Sequence, residues 1–254
     1  LTTMGLFDFL FGKKDKQKAA PVRNTTNTTR ASETRRPAPS TRPQPKAPTS
    51  SSEPKSFSTN MLQGVDLGGP FKLVPLDMGI FESKDFPMLG LLASTTPELA
   101  KWLPGFDLSS PESAQKYLRA CVLRTEMGLG FTYLIKFNSG VCGMIFVNTP
   151  TYNETTIGFP YWSCDFFLFK PMQGHGLMPK ILLGFLLFLK NVFKIHNMYS
   201  IVDSKNTACL NMFDKCLFFA KQPDMVFTDP STGNKAFAFR CDLTSLDDPF
   251  AHLH

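Results

Sequence analysis

The chain has 254 residues, 43% of them hydrophobic, which is enough for one domain with a sizeable core. Its net charge of +6 is local: residues 1–60 carry eleven Lys or Arg against four Asp or Glu, whereas residues 61–254 carry sixteen against seventeen. That distribution gives no basis for a basic nucleic-acid face on the folded part, and the six cysteines exclude an obvious zinc site because none forms a Cys-x-x-Cys pair or has a histidine at ligand spacing.

Residues 1–12 read LTTMGLFDFLFG, with Leu6, Phe7, Leu10 and Phe11 at helical spacing and Lys13, Lys14, Lys16 and Lys18 behind them. The cluster is too short to span a bilayer and lacks the features of a secretory signal. Counted from Met4, a myristoylation signal needs Ser or Thr where Phe9 stands. Residues 4–18 read either as an amphipathic contact with an anionic membrane surface or as a sticky docking terminus. Residues 19–60, rich in Pro, Ser, Thr and Arg, have the composition of a disordered linker. Its base-rich character also resembles an organelle transit peptide, against which Asp8, Asp15, Glu33 and Glu53 count.

Patterned sequence begins near Phe71, and the folded domain is expected over 68–246. Residues 72–76 read as a strand, and residues 89–103 as helical segments before a turn at Pro104-Gly105. Ser110 and Pro111 have the form of an N-cap and first helical position, leading into a helix over 114–124. The period then changes to two: residues 131–137 and 141–147 are apolar runs joined by Asn138-Ser139-Gly140, a β-hairpin. A third strand is expected over 161–169. Residues 179–193 form a helix that is apolar almost all round, so it is buried on a sheet, and it is too short for a membrane span. A strand over 198–202, a helix over 207–216 and strands over 225–228 and 235–243, around a turn at 229–233, complete an α+β domain with a mixed sheet.

Gln173-Gly174-His175-Gly176-Leu177-Met178 falls between a strand end and a helix start. Glycines let backbone N–H groups approach a ligand, and a helix N-terminus adds unpaired donors and partial positive charge, which together make a phosphate cradle. The dinucleotide pattern fails because its third glycine falls on Pro179, and no Gly-Lys-Ser/Thr is present.

The segment resembles the acetyl-CoA pyrophosphate loop of GNAT N-acetyltransferases, Q/R-x-x-G-x-G/A: Gln173, Gly174, His175, Gly176 and Leu177 match in order, and Met178 departs where a small residue is usual. Downstream, residues 202–218 resemble the V-D-P-x-N-x-A-S-x-x-V-L-E-K-L-G-F segment of the ribosomal-protein N-acetyltransferase-like (RimJ/RimL-type) branch, with Asn206, Cys209, Lys215 and Phe218 in register. Lys72-Leu73-Val74-Pro75-Leu76 and Trp102-Leu103-Pro104 are similar to the branch's first strand and Y-L-P turn.

This resemblance implies a mostly antiparallel twisted sheet with splayed central strands flanked by helices. It implies acetyl-CoA as cosubstrate, with no metal. Phe167, Leu168, Phe169, the 173–178 loop, Asn206 and Phe213 would contact the cosubstrate. Direct attack by an amine on the thioester is implied, so a base must take the ammonium proton. Where many relatives carry a glutamate this chain has Ser163, with Asp165 two residues on and on the same strand face. The tyrosine that serves many relatives as general acid falls near Phe213. Cys209 would protonate the thiolate or pack beside it. The expected function is a cytoplasmic N-acetyltransferase for a primary amine on a protein N-terminus or small molecule. The rival readings are a catalytically weak acyl-CoA-binding scaffold, and an adaptor whose basic tail meets membrane or nucleic acid. The sequence leaves the oligomeric state open.

Overall fold

The computed structural model describes residues 54, 56–103, 105–229 and 232–246. The expected segment 1–18, most of the expected linker, and the prolines at 104 and 230 lie outside these residues.

Eight strands form one sheet in the order β1-β2-β3-β4-β5-β6-β8-β7. They are β1 (Val65–Asp66), β2 (Phe71–Pro75), β3 (Gly130–Phe137), β4 (Gly140–Asn148), β5 (Ser163–Leu168), β6 (Asn197–Asp203), β7 (Ala220–Thr228) and β8 (Lys235–Asp242). Every neighbouring pair is antiparallel except β5 with β6, which is parallel. The helices are α1 (Asp85–Ser94), α2 (Leu99–Trp102), α3 (Pro111–Glu126), α4 (Pro150–Ile157), α5 (Leu177–Phe188) and α6 (Thr207–Lys215).

The period-two runs put opposite sets of side chains on the two faces of the sheet. Phe131, Tyr133, Ile135, Ile145, Val147, Cys164 and Leu168 meet α5 on one face through Ile181, Leu182, Phe185 and Leu186. On the other, Leu134, Met144, Phe146, Phe167 and Phe169 meet Ala114, Tyr117, Leu118 and Cys121 of α3 and Leu89 of α1. Helix α3 begins as its sequence dictates, with Ser110 Oγ accepting from the Ser113 amide at 3.1 Å and Pro111 in its first turn. Helix α5 is apolar almost all round: it packs on the sheet, and Leu67 lies over it at Gly184. Its last turn, Leu189–Phe193, is π-helical.

The core also takes in residues before 68. Phe57, Met61, Leu62, Val65 and Leu67 pack against the same core as α5. Phe57 meets Phe131 edge-on with ring centroids 4.8 Å apart, and the buried Trp162 indole donates to the Pro54 carbonyl at 2.8 Å. Of these apolar residues only Phe57 falls in the linker expected over 19–60, and the apolar residues from 57 to 67 are sparse and aperiodic, yet each finds a place in the core. Helix α4 was likewise not anticipated. Thr149 caps it by accepting from the Tyr152 amide at 3.3 Å, Pro150 opens it and Gly158 closes it in the left-handed region. These stop and start signals were in the sequence, but Thr and Asn dominate the helix between them and obscure its period. The stretch 89–103 divides into α1 and α2, and β7 begins five residues earlier than expected and loses register between Gln222 and Val226.

Candidate active site

The parallel strands β5 and β6 pair at a single register position, Ser163 with Tyr199. Beside it the Tyr199 amide donates to the Trp162 carbonyl at 3.0 Å, and Ser200 Oγ donates to the Cys164 carbonyl at 2.6 Å. No further register pair follows, so the two strands part toward the C-terminal end of β5. Alternation turns the main-chain groups of Phe166 and Leu168 into this opening, while Phe169 directs its amide to the Cys142 carbonyl of β4 at 2.9 Å. Of the three residues expected to supply backbone contacts, Leu168 therefore faces the gap. Phe167 and Phe169 place their side chains in the core on the α3 side.

The opening leads into the glycine loop. Gln173 Nε2 donates to the Leu168 carbonyl at 2.7 Å and pins the loop to the strand end. Gly174 and Gly176 both have left-handed φ, 81° and 66°, and a Cβ added at either would meet nothing within 4 Å. Gly176 is the N-cap of α5 and, having no side chain, makes no side-chain cap of that end. The N–H groups of Gly176, Leu177 and Met178 consequently have no partner within the helix, and Pro179 has no N–H at all. Met178 departs from the family pattern without filling the loop, because its side chain is buried in the core beneath α5. His175 is exposed. The loop thus fits an anionic group such as a pyrophosphate, bound by backbone donors at a helix N-terminus.

Asn206 is the N-cap of α6 and its Oδ1 accepts from the Cys209 amide at 3.2 Å. Phe213 is buried, stacked on Phe239 at 4.5 Å and tilted against Phe166 at 5.8 Å. It offers the site an apolar wall and no proton. Burial, reinforced by the charge of Asp165, pushes the Cys209 thiol up to about 12. A thiol so high stays protonated and unreactive near neutrality.

Ser163 and Asp165 share one face of β5 and join a polar cluster. Arg124 Nη1 donates to Asn148 Oδ1 at 2.7 Å, and Asn148 Nδ2 lies 3.1 Å from Asp165 Oδ2 and 3.3 Å from Ser163 Oγ. Asn153 of α4 donates to the same Ser163 oxygen at 2.9 Å and to the Tyr161 carbonyl at 2.6 Å. Ser163 is only 4% exposed and serves as an acceptor for two amides, which makes it an anchor of the cluster. Asp165 is half-buried. Burial raises its pKa above that of an ordinary aspartate, an effect opposed by the Asn148 hydrogen bond and the Arg124 charge and increased by Asp229. The raised pKa makes this carboxylate a stronger base than an ordinary aspartate. The sequence reading missed Arg124, Asn148 and Asn153: Asn148 is a polar end to an apolar strand, whereas Arg124 and Asn153 stand among other polar residues of their helices and carry no signal of their own.

A sheet opened between two parallel strands, with a helix-terminal glycine loop at one end of the opening, is the architecture of an acyltransferase that uses acetyl-CoA. The family model for the acetyltransferase (GNAT) domain matches residues 80–218, and the chain belongs to that family. Comparison with curated proteins by sequence gives no match. Among solved structures, RimL, a ribosomal L7/L12 alpha-N-protein acetyltransferase in complex with coenzyme A, superposes with a TM-score of 0.57 at 15% identity, covering 71% of this chain and 98% of its own. RimJ of Mycobacterium smegmatis, in complex with a CoA disulfide, gives 0.58 at 13% identity over 75% and 92%. The microcin C7 self-immunity acetyltransferase MccE, in complex with acetyl-CoA and AMP, gives 0.56 at 12% identity over 69% and 94%. At these identities the likeness is one of fold. Among the described residues no helix is long and apolar enough to cross a membrane, and no three His, Cys, Asp or Glu side chains cluster to hold a metal.

Proposed function

We propose that this domain transfers the acetyl group of acetyl-CoA to a primary amine, with Asp165 as the base. The observation that carries the reading is the position of Asp165: a raised carboxylate on β5, at the point where β5 and β6 stop pairing. The pyrophosphate meets the N–H groups of Gly176, Leu177 and Met178, and the pantetheine arm lies along the open edge of β5 at Phe166 and Leu168. Asp165 takes a proton from the acceptor ammonium, the amine nitrogen bonds to the thioester carbonyl carbon, and the carbon–sulfur bond breaks with its electron pair going to sulfur. The nitrogen, positively charged after attack, gives its second proton to solvent as the adduct collapses, and the thiolate takes a proton from solvent, since Phe213 has none to give and Cys209 holds its own tightly. The products are an amide and free CoA.

The similar fold of RimL and its Salmonella typhimurium counterpart, described as modifying the N-terminal serine of L7/L12, supports a protein N-terminus as acceptor. MccE supports a small molecule. Release of CoA thiol measured with peptides bearing free or blocked N-termini, and with small amines, tests the reading. Turnover confined to free amines is expected. Tight CoA binding without turnover on any amine would instead establish the scaffold reading, which the buried phenyl ring of Phe213 favours.

A further inference from the structure

We propose that Arg124 is a positioning residue for this reaction: through Asn148 it fixes the direction of the amide that holds Asp165, and it supplies the buried positive charge opposite that carboxylate. The inference rests on the reading of Asp165 as the base.

Asn148 has one accepting and one donating end, and its neighbours leave one arrangement. A guanidinium only donates, so Nη1, 2.7 Å away, requires Oδ1. Nδ2 then points toward Asp165 Oδ2 and Ser163 Oγ. Flipping the amide would set NH2 against guanidinium and oxygen against carboxylate. Ser163 is held from the far side by Asn153, so it cannot turn away. With Oδ2 bound, Oδ1 of Asp165 is the oxygen left to take the proton.

The guanidinium is held at a cost. Arg124 is 7% exposed, and its Nε and Nη2 are buried without a hydrogen-bond partner among the described residues. Unpaired buried donors on a charged group are strongly unfavourable. The surroundings nevertheless make room for it. A Cβ on Gly130 would collide with the Val147 carbonyl and stand 3.2 Å from Arg124 Nε, and the Tyr152 ring lies 5.5 Å from its Cζ. A residue serving packing alone would not need a charge here, whereas one serving Asp165 does.

The other groups that feel Asp165 do not compete in the working range. Tyr117 on α3, Tyr152 on α4, Cys164 on β5 and Cys209 on α6 are all pushed upward by burial and stay neutral. Asp229, at the end of β7, is the like charge that acts on Asp165. Arg124 is the opposing cation, and its removal leaves Asp229 and burial unopposed except by Asn148.

The test uses the full chain and two readings of Asp165. The first is its carboxyl-carbon NMR titration without substrate. The second is the acid limb of kcat/KM for acetyl-CoA with a short peptide bearing a free N-terminus. In Arg124→Gln both midpoints should move to higher pH, because the charge that helps hold the carboxyl pKa down is gone. CoA affinity should be unchanged, and Arg124→Lys should restore much of the shift. If Arg124→Gln does not fold, Asn148→Ala carries the same expectation, because it removes the link and its hydrogen bond. A loss of rate equal at all pH values, with the NMR midpoint unmoved, would overturn the proposal. Full activity in Asp165→Asn would overturn the base reading alone, because the NMR titration still decides whether Arg124 governs Asp165.

Discussion

The Nδ2 atom of Asn148 on β4 lies 3.1 Å from Oδ2 of Asp165 on the adjacent strand β5. The two are two register positions apart, since Asn148 pairs with Ser163 and Phe146 with Asp165. Strand alternation puts Ser163 and Asp165 on the same face, so one amide reaches both.

Replacing Asp165 by Asn should lower kcat on the order of 10²-fold, the scale of a lost general base, with CoA affinity little changed. The unprotonated form is the active one and its pKa is raised. The wild-type rate should therefore climb with pH through a limb above the ordinary aspartate range, a limb absent from the variant.

The same substitution should not cost stability. A carboxyl with a folded pKa above its unfolded value contributes stability that is fully present below the unfolded pKa and is lost as pH rises through the folded one. Asn keeps an oxygen for the Asn148 amide and removes the buried charge. At pH 8 its Tm should equal or exceed that of the wild type, and the difference should shrink as the pH falls below the usual aspartate value of about 4. A lower Tm for the variant at pH 8 would contradict this.

Gly176→Asp should reduce CoA affinity by at least about tenfold, because it sets a like charge against the pyrophosphate where the helix end favours an anion. The fold should survive. A Cβ at this site meets nothing within 4 Å, and Asp is among the residues that tolerate left-handed φ. Calorimetric titration with CoA reads the first outcome and thermal unfolding the second.

Cys209→Ala should keep kcat within a few-fold of wild type, since a thiol pushed up to about 12 is neither a ready nucleophile nor a ready acid at pH 7. Alkylation of this thiol should become appreciable only in alkaline solution. Mass spectrometry after brief iodoacetamide treatment at pH 7 and pH 10 would show it.

A chain beginning at residue 54 should be more stable than one beginning at residue 68, which loses Phe57, the β1 strand and the carbonyl partner of Trp162. Phe57→Ala alone should cost about 2 kcal/mol, less than the 3–5 kcal/mol of a fully buried Phe. Denaturant unfolding of the two chains and the point variant measures both.

The sequence by itself determined the parts of this domain that rest on local regularities. The capped start of α3 at Ser110 and Pro111, the β3–β4 hairpin about Asn138 and the glycine loop before α5 are each specified within a few residues, and each stands in the structure as read. Tertiary structure decided what depends on partners far along the chain. Phe57 belongs to the core because Phe131 and Phe193 receive its ring. Met178 leaves the loop clear because the core beneath α5 takes its side chain. Asp165 was visible as a carboxylate on the right face of a strand. What holds it comes from Arg124 and Asn148 on two other elements, brought together by sheet register and helix packing, and what raises it is the burial that packing imposes; a polar residue does not by itself name the partner it will meet.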